Sequence, residues 1–156
     1  MKMTFMNLPN CYKYPEDLKS RGQMLICGTM GAVAFQKGLG AIHALSHPIG
    51  AKYNSHHGTT NAILINPVLN LNKLKVKERI LEACRYFNFE ASFETFIKKI
   101  DELNSLINIP RSLTSVGFQT ADTNEIIEKA LNDPSGQTNP VPLTEKNLAQ
   151  VLKDAI

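Results

Sequence analysis

The sequence is poor in the features that mark secreted, membrane-spanning or nucleic-acid-binding proteins. It has three cysteines among 156 residues, an odd number without paired spacing, which excludes a secreted disulfide framework and favours a reducing compartment. A net charge of +3 is too small for a nucleic-acid footprint. The longest apolar-leaning stretch, residues 24–35, is too short to cross a bilayer, and the N-terminus has no signal-peptide pattern. These absences predict a cytoplasmic protein that binds neither nucleic acid nor membrane.

The sequence also lacks the alternation of β-branched residues that marks strands, whereas helical spacing recurs from residue 16 onward. We therefore expect a single all-α domain over residues 1–156, a length that suits one core. Pro48 and Pro67 are expected to interrupt helices, because proline lacks the N–H donor that a helix interior needs. The predicted helices cover 16–37, 39–46, a stretch from just after His57 to about residue 71, 74–87, 91–106, 122–132 and 144–155.

The first of these helices is apolar or small on most of its sides. Four small residues in its second half would allow a neighbouring helix to approach closely: Gly28, Gly31, Ala32 and Ala34. A helix of this composition is usually buried. We therefore expect residues 16–37 to lie in the middle of a helical bundle.

Histidine is confined to one short window between residues 38 and 58, where all four occur. His43 and His47 are four residues apart, so they share one face of a helix. His57 stands at the start of the next helix, and two packed helices would bring it beside His43 with His47 nearby. Neutral imidazole is the commonest metal-binding side chain. The spacing alone is more typical of an ordinary pair of surface histidines, with a metal site as the alternative.

The residues around these histidines resemble a known family. The segment "KGLGAIHALSHPIGAKYNSHHGTTNAILINPVLNLN", residues 37–72, is similar to the long signature of the iron-containing (group III) alcohol dehydrogenases. "NLPNCYKYPEDLKSRGQMLICGTMGAVAF" resembles the helix before that signature, and "IPRSLTSVGF" and "LNDPSGQTNPVPLTEKNLAQVLKDAI" resemble the family's closing helices and its "TNP" loop. The resemblance covers nearly the whole chain in the family's order. It implies the all-helical C-terminal domain of that family.

The resemblance implies a role for four residues. His43 and His57 match two metal ligands, and His47 matches the histidine that lies near the nicotinamide and helps to relay the proton. Ser135 matches a position in a loop that lines the substrate pocket. The alternative is an ordinary turn held by Asp133, Pro134 and Gly136. The implied activity is NAD(P)-linked oxidation of small alcohols or reduction of aldehydes. The implied cofactors are Fe(II), with Zn(II) as a second choice of metal, and NAD(P), which the family holds in a separate α/β domain.

Two parts of the family's site do not occur in this sequence. The family's Asp-x-x-x-His pair, which supplies two more ligands, is missing, and so is the nucleotide-binding α/β domain. We therefore expect a fragment that supplies half of a metal site and is inactive alone. Its expected partners are a second copy of itself or a separate nucleotide-binding chain.

Two alternatives to this function remain open at the level of sequence. The first is a non-catalytic helical remnant, or protein-interaction module, that binds a partner through the surface which the missing domain would cover. The second is an independent histidine-rich module for Zn(II) or Ni(II) that recruits His56. We expect His56 to be a surface substitution instead, at a position where the family usually has proline.

Overall fold

The computed structural model describes all 156 residues and contains seven α helices and no β strand. The all-α prediction is therefore confirmed. Short 3-10 turns occupy Phe35–Lys37, Leu113–Val116, Thr120–Asp122 and Pro134–Thr138. The helices are α1 (Lys2–Lys13), α2 (Leu18–Ala34), α3 (Ala41–Tyr53), α4 (His57–Phe87), α5 (Phe93–Leu106), α6 (Thr123–Leu131) and α7 (Glu145–Asp154).

The main core lies where α3, the first part of α4, α6 and α7 meet. Each helix contributes side chains that are completely removed from solvent, among them Leu45, Leu64, Ile126 and Leu148. Burying one such side chain stabilises the fold by roughly 1.5–3 kcal/mol. This core fixes α3 and α4, the two helices that carry the histidines, against each other.

A second, smaller core joins α5 to the later part of α4. It is built from Phe93, Phe96 and Ile100 of α5 and from Ile80 and Cys84 of α4. Phe5 of α1 packs at its edge, with its ring 5.4 Å from that of Phe89 in an edge-on contact. The N-terminal helix is thus attached to the body of the domain through aromatic contacts.

Both predicted proline interruptions are wrong. α3 continues through Pro48, and α4 runs for 31 residues through Pro67. The stretch predicted to end near residue 71 and the helix predicted over 74–87 are therefore one helix. A proline inside a helix costs about 3 kcal/mol, but both prolines are buried. Fully buried apolar neighbours, Leu45 and Ile49 beside Pro48 and Leu64 beside Pro67, offset that cost by their packing.

The predicted burial of the first helix is also wrong. α2 begins after Asp17, whose carboxylate accepts hydrogen bonds from the first turn, but its only buried residue is Ser20. Its large apolar side chains are exposed, and their helical spacing places them on one side of the helix. We call this set of residues the α2 face: Leu18, Leu25, Ile26, Met30 and Val33. The reason is topological, because α2 packs on α1 in an N-terminal hairpin rather than inside the bundle. α1, which contains Pro9, is not among the predicted helices.

No single helix is both long and apolar enough to cross a membrane. The segments Leu18–Lys37 and Ala41–Tyr53 reach such a composition together, but they are bent by 107° at the break between them.

A pair of asparagines joins the loop before α7 to the start of α3 and to α4 by hydrogen bonds. Asn139 Oδ1 accepts hydrogen bonds from Ala41 N (3.1 Å) and Asn72 Nδ2 (3.0 Å). Its Nδ2 donates to Asn72 Oδ1 (2.9 Å) and Val141 O (2.7 Å), and Val141 N donates to Asn72 Oδ1 (3.2 Å). Asn72 is 5% exposed, so these bonds form out of contact with water, where an unpaired amide is costly.

We expect Asn139→Ala to lower the free energy of unfolding by about 2–4 kcal/mol, because it leaves the buried Asn72 amide and Ala41 N without partners. Urea unfolding followed by circular dichroism measures the change. Asn132→Ala is the matched control: its exposed side-chain amide bonds only to Glu128 O of the preceding helix α6, so a change of less than about 0.5 kcal/mol is expected. If Asn72→Ala and Asn139→Ala destabilise additively in the double variant, the two amides do not act as a pair.

Candidate functional site

The turn that leads into α3 is held by the same loop. Gly38 has φ +96°, a backbone conformation that favours glycine, and a Cβ there would come within 2.6 Å of Thr138 Cβ. Thr138 Oγ1 donates to Leu39 O (3.0 Å), and Asn139 accepts from Ala41 N, the first residue of α3. The direction in which α3 presents its histidines is therefore set by contacts with a loop about 100 residues later in the sequence.

Three of the four histidines come together. The ring of His43 lies 5.2 Å from that of His57 and 5.7 Å from that of His47, and the His47 and His57 rings stack 5.8 Å apart at 16°. His43 and His47 are one turn apart on α3, and His57 is the first residue of α4. The convergence that the spacing predicted for His43 and His57, with His47 nearby, is therefore present.

The three clustered histidines differ in their exposure to solvent. His43 is partly buried and meets the edge of the exposed Phe35 ring at 5.8 Å, whereas His47 and His57 are exposed. Burial lowers the pKa of His43, and the nearby His57 and His47 lower it further. Neutral imidazole, the form that binds metal, is therefore favoured at His43.

One carboxylate contacts the cluster. Asp133 Oδ2 lies 2.8 Å from His47 Nδ1, and Asp133 Oδ1 accepts a hydrogen bond from Ser135 N (2.8 Å). Burial raises the pKa of Asp133, but the bonds from His47 and Ser135 outweigh it, so the pKa lies below its ordinary value. Asp133 is therefore ionised at neutral pH and links the two predicted site residues His47 and Ser135.

The remaining predicted residues have local partners. The side-chain amide of Asn61, one turn along α4, is 2.9 Å from His57 Nε2. His56 is exposed, and its Nδ1 accepts from Thr59 N (3.3 Å), so it caps the start of α4. Ser135 lies in the 3-10 turn that follows Asp133, which agrees with the turn alternative for its local structure. Its role in substrate binding stays a prediction.

The donor set fits part of a metal site. Two imidazoles bound to one tetrahedral ion through nitrogens at about 2.1 Å have ring centres roughly 5 Å apart, and the His43–His57 separation of 5.2 Å agrees with this. No set of three or more His, Cys, Asp or Glu side chains is arranged to hold a metal ion. The described residues therefore place two imidazoles at a separation that suits one ion, and they do not form a closed shell.

From the sequence, Asp133 is predicted only as part of a turn. It is 86 residues from His47 in the sequence, and no spacing rule connects positions so far apart. The motif "DPSG" did indicate the turn, because an Asp before Pro often accepts a bond from the backbone two residues on. The contact with the histidine depends on how α3 packs against the loop, and only the structure reveals it.

The chain is similar in sequence to a known family and to characterised proteins. The sequence model of the Fe-containing alcohol dehydrogenase family, C-terminal, matches residues 1–156. Alcohol dehydrogenase 4 of Saccharomyces cerevisiae is 34% identical over 153 residues, covering 96% of this chain and 40% of the yeast protein. The NAD-dependent methanol dehydrogenase of Bacillus methanolicus is 27% identical over 164 residues, covering 100% of this chain and 43% of that protein.

Solved structures agree with this match. A 1,3-propanediol oxidoreductase has a TM-score of 0.94 at 25% identity, over 99% of this chain and 43% of its own. The alcohol dehydrogenase from Oenococcus oeni has a TM-score of 0.93 at 25% identity, with the same coverage of both chains. The chain thus spans about two fifths of the length of these relatives.

Proposed function

Because the chain belongs to the Fe-containing alcohol dehydrogenase family and matches its C-terminal domain, we propose that it supplies half of a metal-dependent alcohol dehydrogenase site. The proposed reaction is NAD(P)-linked oxidation of a small alcohol, or the reverse reduction of an aldehyde. His43 and His57 are the proposed metal ligands, and His47 is the proposed proton-relay residue beside the nicotinamide. The observation that carries this proposal is the convergence of the three imidazoles within 5.2–5.8 Å.

The roles of the three imidazoles follow from their surroundings. His43 is the most buried of the three and is biased toward its neutral form, which suits a ligand. His47 is 43% exposed, so its ring can exchange a proton with substrate and with water. When bound, Fe(II) or Zn(II) would act as a Lewis acid toward the substrate oxygen. Ser135 lies beside Asp133, and there it would border the substrate.

The rest of the site is proposed to come from sequence that this chain does not include. The resemblance implies an Asp-x-x-x-His pair as the remaining ligands and an α/β domain for NAD(P), and the chain spans about two fifths of the relatives it matches. We propose that a nucleotide-binding part supplies both, either within one polypeptide or as a separate chain. The three free cysteines suit a cytoplasmic setting.

A Zn(II) titration of the 156-residue chain tests the assignment of the ligands. We expect weak binding that falls about tenfold or more in His43→Ala and in His57→Ala, because each removes one of two ligands. His56→Ala is the matched control, since it removes an adjacent exposed imidazole, and it should leave the affinity unchanged.

Two results would contradict the proposal. An equal loss of affinity in His56→Ala would favour an independent histidine-rich module. One tightly held iron per chain together with NAD-linked alcohol turnover by the chain alone would show that no second part is needed.

The α2 face supports a second element of the proposal, the surface on which the nucleotide-binding part packs. Contiguous exposed apolar surface of this kind marks an interaction site; Leu25 is 75% exposed and Val33 is 63% exposed. The helix leads directly into Phe35, which contacts His43. A part that covered the α2 face would therefore also approach the histidines.

Without that second part, the exposed α2 face should drive self-association. We expect sedimentation velocity to show concentration-dependent association of the chain, and the double variant Leu25→Glu/Val33→Glu to be monomeric. Leu74→Glu is the control, because Leu74 is 93% exposed but belongs to α4 and not to the α2 face. Monomeric behaviour of the unmodified chain at high concentration would contradict the assignment.

A further inference from the structure

Asp133 is the one carboxylate that forms a hydrogen bond or ion pair with a histidine of the cluster. We propose that Asp133 is a positioning residue for His47: it holds the imidazole with its proton on Nδ1, so that Nε2 is the nitrogen left to accept a proton from the substrate side. This inference rests on the proposed relay role of His47. It adds a residue that the sequence pattern assigned only to a turn.

The two carboxylate oxygens of Asp133 contact different partners. Oδ1 accepts from Ser135 N and so forms the cap of the 3-10 turn Pro134–Thr138. This bond fixes the side-chain torsion of Asp133 and leaves Oδ2 directed at His47 Nδ1, 2.8 Å away. The Asp133 side chain is only 16% exposed, compared with 43% for His47, so the carboxylate is the better-fixed partner of the pair.

The loop that carries Asp133 is itself anchored at both ends. Asp133 N donates to Ala130 O (3.3 Å) at the end of α6. Beyond the turn, Thr138 bonds to Leu39 O and Asn139 bonds to Ala41 N. Because these last two bonds reach the beginning of α3, the Asp133 carboxylate and the helix that carries His47 are held in fixed positions relative to each other.

The chemistry of the pair selects the tautomer. An ionised carboxylate can only accept hydrogen bonds, so the nitrogen that faces it must carry a proton. Neutral His47 then has Nδ1–H, and the lone pair lies on Nε2. In the relay, an N–H bond forms at Nε2 as the O–H bond of the substrate breaks, and the proton then passes from Nε2 to water. Without Asp133 the ring would be free to rotate and to exchange tautomers, and part of the population would present N–H instead of a lone pair.

Long-range ¹H–¹⁵N NMR of the unliganded chain at pH 8.5 tests this inference, because it distinguishes the two neutral tautomers of each histidine. We expect His47 to be predominantly the Nδ1–H form in the unmodified chain. In Asp133→Asn the side chain can keep its bond to Ser135 N and direct an amide N–H at His47 Nδ1. The population should therefore invert toward the Nε2–H form.

Asp122→Asn is the matched control. It also removes a carboxylate that accepts bonds from α3, in this case from Lys52 and Tyr53, and it should leave the His47 tautomer unchanged. A predominant Nε2–H form in the unmodified chain would overturn the inference, and that result does not depend on whether any variant folds. An unchanged tautomer in folded Asp133→Asn would overturn it as well.

The measurement needs no metal, nucleotide or substrate. Its outcome is therefore separate from that of the metal titration. The metal titration could exclude His43 and His57 as ligands while the NMR measurement confirms the Nδ1–H tautomer of His47. That combination would refute the proposed function and leave the Asp133–His47 geometry unaffected.

Discussion

The structure depends most on the reciprocal hydrogen bonds between Asn72 and Asn139. This amide pair joins the middle of α4, the loop before α7 and, through Ala41 N, the first residue of α3. Three elements far apart in the sequence thereby meet at a single buried polar contact, where an imperfect fit would leave amide groups unsatisfied. The positions of His43 and His47 follow from where α3 begins, so the geometry of the site follows from this contact.

The loop that contains Asn139 both stabilises the fold and contacts the histidine cluster. It begins with Asp133, which reaches His47, and ends with Asn139, which anchors α3. Between them, Thr138 packs against Gly38, where a positive φ and the lack of space favour glycine. A change in this loop would therefore affect the orientation of the imidazoles without touching them.

Features that neighbouring residues determine could be predicted from the sequence, whereas features that depend on contacts between distant residues could not. The four-residue spacing of His43 and His47 correctly placed both on one helix face. Pro48 misled the prediction because the packing of its buried neighbours offsets the cost of a helical proline. The apolar composition of α2 indicated burial, yet the described residues contain nothing that covers it. The contact between Asp133 and His47 spans 86 residues and has no signature in the sequence.

The central claim is that His43 and His57 bind one metal ion between them. The most direct test is a crystal structure of the chain soaked with Zn(II), with anomalous data collected at the zinc edge. We expect one anomalous peak bonded to a single nitrogen of His43 and of His57, each at about 2.0–2.1 Å, with oxygen ligands of water completing the shell. A peak bound by His56 without His43, or the absence of any peak between the His43 and His57 rings, would contradict it.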